Sequence, residues 1–565
     1  MKVPVLTREK LLYLAAFALA LALRLIQLDR LPLSDPEADL ALRALALARG
    51  EDAMVGSQPA LALLTTAIFY LFKDTTAAAR ALPALAGSLL VLSPALFRRQ
   101  LGRIPALLMA FFLALDPGLT AISRQASSAL LAITPAVYAL GLALQGRWIG
   151  SAFCLGLALL GGPGIWFGAL VGLLAAALAR PSVENGRLLA LYPRDGTQLR
   201  YWLAVLLGTL LLGGSLFVIL PQGLGAVFNS LVAFLGDLIR PSGRPAVEMV
   251  MAVVGYVPLA LVFGGLRAVR SSRWEAVDRF LALAWVIGLV AAVVMPGRDY
   301  TYLAWTSLPL WALAARWLVE FVDTDAGESA WALGHAALIL VLLAFMWMNA
   351  AGLTQSLLPE TARARWIGIA GVAALLLLTL ILVAWGWSLR VARTGLAGAL
   401  AVFLFLYGLS ATFGAAGLGA HPENQLWRMG PLLTQADLIV DTVQEVSIWE
   451  YGHRYGVQAA VVDVDSPALV WLLRDQGSLL PDTVLSPDQS PDVIFTPVTS
   501  AAPSLEVLYR GQSLVLTEQP DWTSLRLSDW MKWMIFRRAP AAANEVILWA
   551  KGQMFPGSAG FPAGS

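Results

Sequence analysis

The stretch that decides the fold is 367–389, IGIAGVAALLLLTLILVAWGWSL, which runs 23 residues without a charged side chain. At 1.5 Å per residue such a helix reaches across the roughly 30 Å hydrocarbon core of a bilayer. Working outward, comparable apolar runs occur near 11–28, 77–97, 104–122, 125–145, 201–220, 249–269, 280–295, 302–319, 331–351 and 395–416. The segment 147–179 is interrupted by Gly161-Gly162-Pro163-Gly164 and reads as two short spans rather than one. Composition agrees: 58% of the 565 residues are hydrophobic and 13% charged, with a mean hydropathy of +0.71. Soluble domains carry about a quarter charged residues, so lipid replaces water as the solvent for most of this chain.

The remaining charges set the expected topology. Lys2, Arg8 and Lys10 precede a first run long enough to span and without a small-residue cleavage site, which reads as an uncleaved helix with its N-terminus in the cytoplasm. Thirteen spans place Arg98, Arg99, Arg103, Arg194, Arg200, Arg267 and Arg270 inside and the C-terminus outside. The loop with Glu320, Asp323, Asp325 and Glu328 falls on the cytoplasmic side without a lysine or arginine of its own, but acids weigh little in orientation. The expected fold is thus a polytopic α-helical membrane protein with about 13 transmembrane helices over 1–416. It includes a first outer loop at 29–58 and a surface helix at 59–72.

After 416 the composition changes. A helix over 431–450 is followed by strand-like VQAAVVDV (457–464), a Ser466-capped helix SPALVWLLRDQG, and strand-like DVIFTP and EVLYRGQSLVLTEQ. Strands alternating with helices predict a small extracytoplasmic α/β domain over 417–550, and the Gly/Pro/Ser-rich 551–565 predicts a disordered tail. The net charge of +2 argues against a nucleic-acid partner. Cys154 alone permits no disulfide framework, and His335, His421 and His453 lack metal-ligand spacing and read as interfacial or surface side chains.

Chemistry concentrates at the predicted outer face. Asp35, Glu37 and Asp39 follow LPLS at the membrane edge, where a partly desolvated carboxylate can act as a general base. The same residues also satisfy a helix cap, with Ser34 or Asp35 at the N-cap, Pro36 first in the helix and Glu37 in its first turn. Arg124 in AISRQASS and Arg298 in MPGRDYTYLAW sit at the outer ends of two spans. There a guanidinium holds a lipid phosphate bidentately or snorkels to headgroups.

In order along the chain come ALRLIQLDRLPLSDPEADLALRALALARG (22–50), QPALALLTTAIFYLF (58–72), AAARALPALAGSLLVLSPALFRRQLGR (77–103) and ALLMAFFLALDPGLTAISRQASSALL (106–131). Together these resemble the polyprenyl-phosphate-dependent glycosyltransferases of the GT-C superfamily, in the protein O-mannosyltransferase and aminoarabinose-transferase branch. The likeness runs over roughly 10–180 and more weakly through 298–320. It implies a sugar moved from a polyprenyl-phosphate donor, with inversion, to a glycan, lipid or protein acceptor outside the plasma membrane. It also implies no metal or nucleotide cofactor. In that branch the first outer loop carries an Asp-Glu pair whose Asp is the base, which maps to Asp35 or Glu37. An arginine and a basic residue before a Tyr-rich helix engage the lipid phosphate, which maps to Arg124, Arg298 and Tyr302. Pro36 splits the acidic pair, which leaves both acids open as the base. It also leaves open a non-catalytic scaffold or lipid-binding protein with the same helices. A transporter is a third reading, disfavoured by the scarcity of intramembrane charge and the lack of an inverted repeat.

Overall fold

A computed structural model describes residues 8–179, 192–270, 275–322, 329–480, 485, 489–500 and 507–554. Every apolar run marked in the sequence carries at least one helix. In chain order the first helices are α1 (Arg8–Leu25), α2 (Asp35–Ala48), α3 (Pro59–Leu71), α4 (Thr76–Leu90), α5 (Arg98–Leu101), α6 (Arg103–Ala114), α7 (Pro117–Ser123) and α8 (Ala129–Leu144). Then come α9 (Trp148–Leu159), α10 (Gly164–Ala179), α11 (Gly196–Gly214), α12 (Gly223–Asp237), α13 (Ala246–Val254), α14 (Pro258–Val269) and α15 (Ala276–Val294). Four long helices complete the set: α16 (Tyr300–Val322), α17 (Ser329–Thr354), α18 (Pro359–Gly386) and α19 (Leu389–Ala415).

Hydropathy runs and spanning helices are not the same thing. Among the described residues five helices are long and apolar enough to cross, namely Thr76–Leu101, α15, α17, α18 and α19, or seven if each of two bent pairs counts as one span. Helices α3, α8, α9, α10 and α12 are shorter, at 10–17 residues, so the expected thirteen crossings are not matched by thirteen helices of spanning length. The reason is local. Gly162, at φ +95°, ends the α9 side of 147–179 in a left-handed turn that only glycine adopts freely, and the chain restarts as α10. The run 249–269, marked as one span, bends by 91° between α13 and α14, where Pro258 opens the second helix without an N–H to continue the first. The acidic loop finds its counter-charge in space. Glu320 pairs with Arg267 of α14 at 2.6 Å, while Asp278 is shared by Arg267 and Arg316 at 2.6 and 3.0 Å. Asp323, Asp325 and Glu328 lie outside the described residues. His335 is buried, packed where α17 meets Gly395, not at a surface.

The C-terminal segment forms α20 (Ala436–Tyr451), β1 (Gln458–Val461), α21 (Pro467–Leu473), β2 (Ser478–Leu480), β3 (Val493–Pro497), β4 (Tyr509–Pro520), α22 (Leu527–Phe536) and β5 (Ala541–Lys551). One mixed sheet results, in the order β2-β1-β3-β5-β4. Ala460 of β1 lies opposite Leu480 of β2 and Ile494 of β3 in parallel register, and β5 is antiparallel to both β3 and β4. Residues 552–554 form a 3₁₀ turn after β5, and the rest of the expected tail, 555–565, lies outside the described residues.

This segment is not suspended on a free linker. Its apolar core is continuous with the first loop: Leu33, Ala38, Ala41 and Phe69 share one cluster with Ile439, Val443, Val457, Trp471, Phe495 and Leu548. Within the linker, Trp427 is buried and donates from Nε1 to the Ala252 carbonyl at 2.9 Å. Helix α22 turns Trp530 and Trp533 onto Trp522 and, through Trp533, onto Tyr256 at the α13–α14 bend. A Cβ on Gly255 would stand 2.6 Å from the Trp533 ring and 2.9 Å from the Met251 carbonyl. Gly255→Ala is therefore expected to destabilise the protein by about 1–3 kcal/mol through overpacking, read as a lowered Tm in detergent. Gly265→Ala, whose added carbon meets only Trp285 at 4.0 Å, should not lower it.

Candidate active site

Glu37 is the most committed acid in the first loop. The Ser34 N–H and hydroxyl both donate to its Oε2 at 3.0 Å, a local closure of the α2 N-terminus that Pro36 in the first turn makes easy. Arg80, brought in by α4, donates from Nε to Oε1 at 2.8 Å and from Nη2 to Oε2 at 2.9 Å. The Ala126 N–H adds a bond to Oε1 at 2.8 Å. Only 1% of Glu37 is exposed. Burial by itself would raise its pKa, but the Arg80 charge and the donors on Ser34 and Ala126 overcome that and hold it below the usual carboxylate range. A carboxylate with five donors and a depressed pKa is a poor proton acceptor, so of its two expected roles the structure supports the cap. Arg80 also donates to the carbonyls of Leu28, Leu31 and Pro32, which folds the loop back under α2.

The expected phosphate ligands are also engaged. Arg124 donates from Nη1 to the carbonyls of Leu23, Arg24 and Ile26 and from Nη2 to that of Gln27. It thereby ties off the C-terminal end of α1, where a cation complements the helix dipole. Tyr302 donates its hydroxyl to Asp237 and stacks on Phe167 at 4.6 Å. Both side chains thus already have protein partners. Arg298 donates from Nε to the Val293 carbonyl at 2.7 Å and from Nη1 to the Arg244 carbonyl at 2.8 Å. Its Nη2 makes no hydrogen bond among the described residues.

Asp35 is placed differently. It is partly exposed and lines a half-open cavity of about 890 Å³ between the helical body and the C-terminal sheet. Small cavities beside Arg428 and Trp311 measure only 10–20 Å³. The Ser466 hydroxyl and the Ala468 N–H both donate to Asp35 Oδ1, at 2.7 and 3.1 Å, while Oδ2 accepts no hydrogen bond among the described residues. The wall facing it comes from the βα turn after β1, with Asp463, Val464, Asp465 and Ser466, and from Pro497 at the end of β3. These are the carboxyl ends of parallel strands, the edge at which α/β sheets hold ligands. Glu248, Asp521 and Glu545 add further carboxylates, and among the described residues no lysine or arginine lines the cavity. No hydrogen bond joins Asp35 to Arg124, Arg298 or Tyr302 among the described residues.

Some residues that shape the site left little trace in sequence. Arg244 stacks over Tyr300 at 4.5 Å and donates to the carbonyls of Arg428 and Met429, and Glu248 accepts from the Tyr300 hydroxyl at 2.6 Å. Ser466 was legible only as a helix cap, which it also is, accepting from the Leu469 N–H at 3.3 Å.

Solved structures resolve what this arrangement is built on. ArnT from Cupriavidus metallidurans bound to undecaprenyl phosphate superposes with a TM-score of 0.55 at 15% identity, over 97% of this chain and 99% of that one. The chain shares the fold of this ArnT. The apo form of the same ArnT superposes with a TM-score of 0.51 over the same shares. The Archaeoglobus fulgidus oligosaccharyltransferase aligns more loosely, with a TM-score of 0.42 over 83% of this chain and 62% of that one. No family model and no curated protein sequence matches the chain. The ArnT likeness runs end to end, so the shared fold includes the C-terminal sheet as well as the helices.

Proposed function

We propose that this protein transfers a glycosyl group from a polyprenyl-phosphate donor to an acceptor held in the 890 Å³ cavity, with Asp35 as general base. The observation that carries the reading is the free Oδ2 of Asp35 at the cavity wall of a GT-C fold. The acceptor O–H or N–H gives its proton to Oδ2 as the acceptor atom bonds to the anomeric carbon. The bond from that carbon to the phosphate oxygen breaks with its electron pair, so the lipid phosphate leaves and the configuration inverts. Arg298 Nη2 is the proposed contact for the departing charge. ArnT was crystallised with undecaprenyl phosphate, which supports a lipid phosphate as the donor carrier here. A wall of six carboxylates, without a basic residue among the described residues, favours a neutral or cationic acceptor over an anionic one. The chemistry as proposed needs no metal or nucleotide.

A second reading, a lipid-binding protein without transferase activity, is favoured by the saturation of Glu37, one of the two candidate bases. The deciding assay supplies polyprenyl-phosphate sugars to the purified protein in membranes and follows release of polyprenyl phosphate. Binding without release supports the second reading.

The proposed setting is the plasma membrane, with the N-terminus cytoplasmic and the cavity outside. Gly243 lines the cavity with residues of the C-terminal sheet, so both belong to one side. Reporters fused at Gly243 and Gln489 are expected outside, and those at Arg99, Arg194 and Arg270 inside. A cytoplasmic signal at Gln489 would reverse the orientation and remove the cavity from the outer face.

A further inference from the structure

We infer that Ser466, carried by the C-terminal α/β segment, is the positioning residue for Asp35, so that the outer segment completes the active site instead of merely covering it. This rests on the reading of Asp35 as base. The contact joins residues 431 positions apart in sequence: the Ser466 hydroxyl meets Oδ1 at 2.7 Å, and the Ala468 N–H meets the same oxygen at 3.1 Å. With Oδ1 held by two donors, rotation about the carboxyl bond is arrested, and Oδ2, which accepts no hydrogen bond among the described residues, is the oxygen available to receive a proton.

A positioning group must itself be held, and α21 is. Trp471 stacks on Phe69 of α3 at 5.9 Å, and its indole N–H reaches the Thr76 hydroxyl at 3.4 Å. Arg474 donates to the Asp74 carbonyl at 2.8 Å and lies 3.4 Å from the Asp74 carboxylate. Its guanidinium also covers the Trp471 ring at 4.0 Å. The helix is thus clamped to α3, the start of α4 and the turn between them, and Ser466 at its start is fixed relative to Asp35 at the start of α2. Holding a reacting group within a fraction of an ångström is worth about 10²-fold in rate when lost.

Ser466 also caps α21, so the test must separate the two roles. Asparagine and threonine keep both a cap and a donor, alanine removes both, and aspartate caps as well as serine but cannot donate to a carboxylate. Transfer from a polyprenyl-phosphate sugar is measured for each variant in the full-length protein, with kcat and donor KM separated. Ser466→Ala and Ser466→Asp are expected to lower kcat by about 10²-fold with donor KM unchanged. Ser466→Thr and Ser466→Asn should restore most of the loss, and Asp35→Asn/Ser466→Ala should be no slower than Asp35→Asn alone. Full activity in Ser466→Asp overturns the inference in favour of simple capping. Multiplying losses in the double variant overturn it too. Full activity in Asp35→Asn overturns the base itself, a result distinct from loss in Asp35→Asn with none in Ser466→Ala, which sinks positioning alone. Wild-type protein without transfer overturns both.

Discussion

Asp35→Asn is expected to lower glycosyl transfer by about 10²–10⁴-fold, the usual worth of a general base, in a protein that still folds and inserts. The fold survives because the amide oxygen of asparagine accepts the same two bonds that Oδ1 accepts from Ser466 and Ala468, and asparagine is as good as aspartate near a helix start. What disappears is the proton-accepting capacity of Oδ2, replaced by an NH₂ group that carries protons of its own. The measurement is release of polyprenyl phosphate from a labelled donor, alongside a gel-filtration profile and Tm that match wild type. Near-normal release from Asp35→Asn would show that the acid facing the cavity is not the base.

Glu37→Gln should behave in the opposite way, as a stability variant. One of the two carboxylate oxygens would become an NH₂ group, and each of those oxygens sits against N–H donors: Arg80 and Ala126 at Oε1, Arg80 and Ser34 at Oε2. Donor would face donor in a site from which water is excluded, and Arg80, itself 2% exposed, would keep its charge without a counter-charge. Breaking a buried pair in this way costs about 3–5 kcal/mol. The pH dependence carries a sign. The pKa of Glu37 is lowered in the folded protein, so its stabilising effect is present above the unfolded value of about 4.3 and is lost as pH falls through the folded value. Wild type should lose Tm on acidification through that window, whereas Glu37→Gln should start lower and lose less. If Glu37→Gln instead kept the wild-type Tm and lost transfer, the base would be Glu37 and the assignment to Asp35 would fall.

The two acids show where sequence reading stops. Both lie in one tetrapeptide, Ser34-Asp35-Pro36-Glu37, both suit a helix start, and capping and catalysis ask for the same residue types at the same spacing. What separates them comes from elsewhere in the chain. Arg80 and the Ala126 amide close on Glu37 from 43 and 89 residues away, and Ser466 reaches Asp35 from 431 away. None of these partners follows from local pattern, because a guanidinium or hydroxyl in sequence carries no mark of which carboxylate it will meet. Arg124 and Tyr302 illustrate the same limit. Their position at the ends of apolar runs was legible, but the α1 carbonyls and Asp237 that occupy their donors were not.

The membrane character of the chain, the helical identity of each apolar run and the β1, α21 and β3 units were determined by sequence alone, through hydrophobic length, charge scarcity and turn residues. These properties arise within about 20 residues of chain, which is the range that solvent transfer and helix propagation sense. Tertiary structure decided how many of those runs are long enough to cross: the break at Gly161–Gly164 is legible in sequence, but the 91° bend at Pro258 cuts a run that hydropathy averages over. It also decided that β5, whose AAANEV start resembles no strand, completes the sheet between β3 and β4. Above all it decided the site: the 890 Å³ cavity forms where α2, the α12–α13 connection and the carboxyl edge of the outer sheet meet. Long-range packing alone determines which polar atoms are buried against partners and which, like Asp35 Oδ2, accept no hydrogen bond among the described residues.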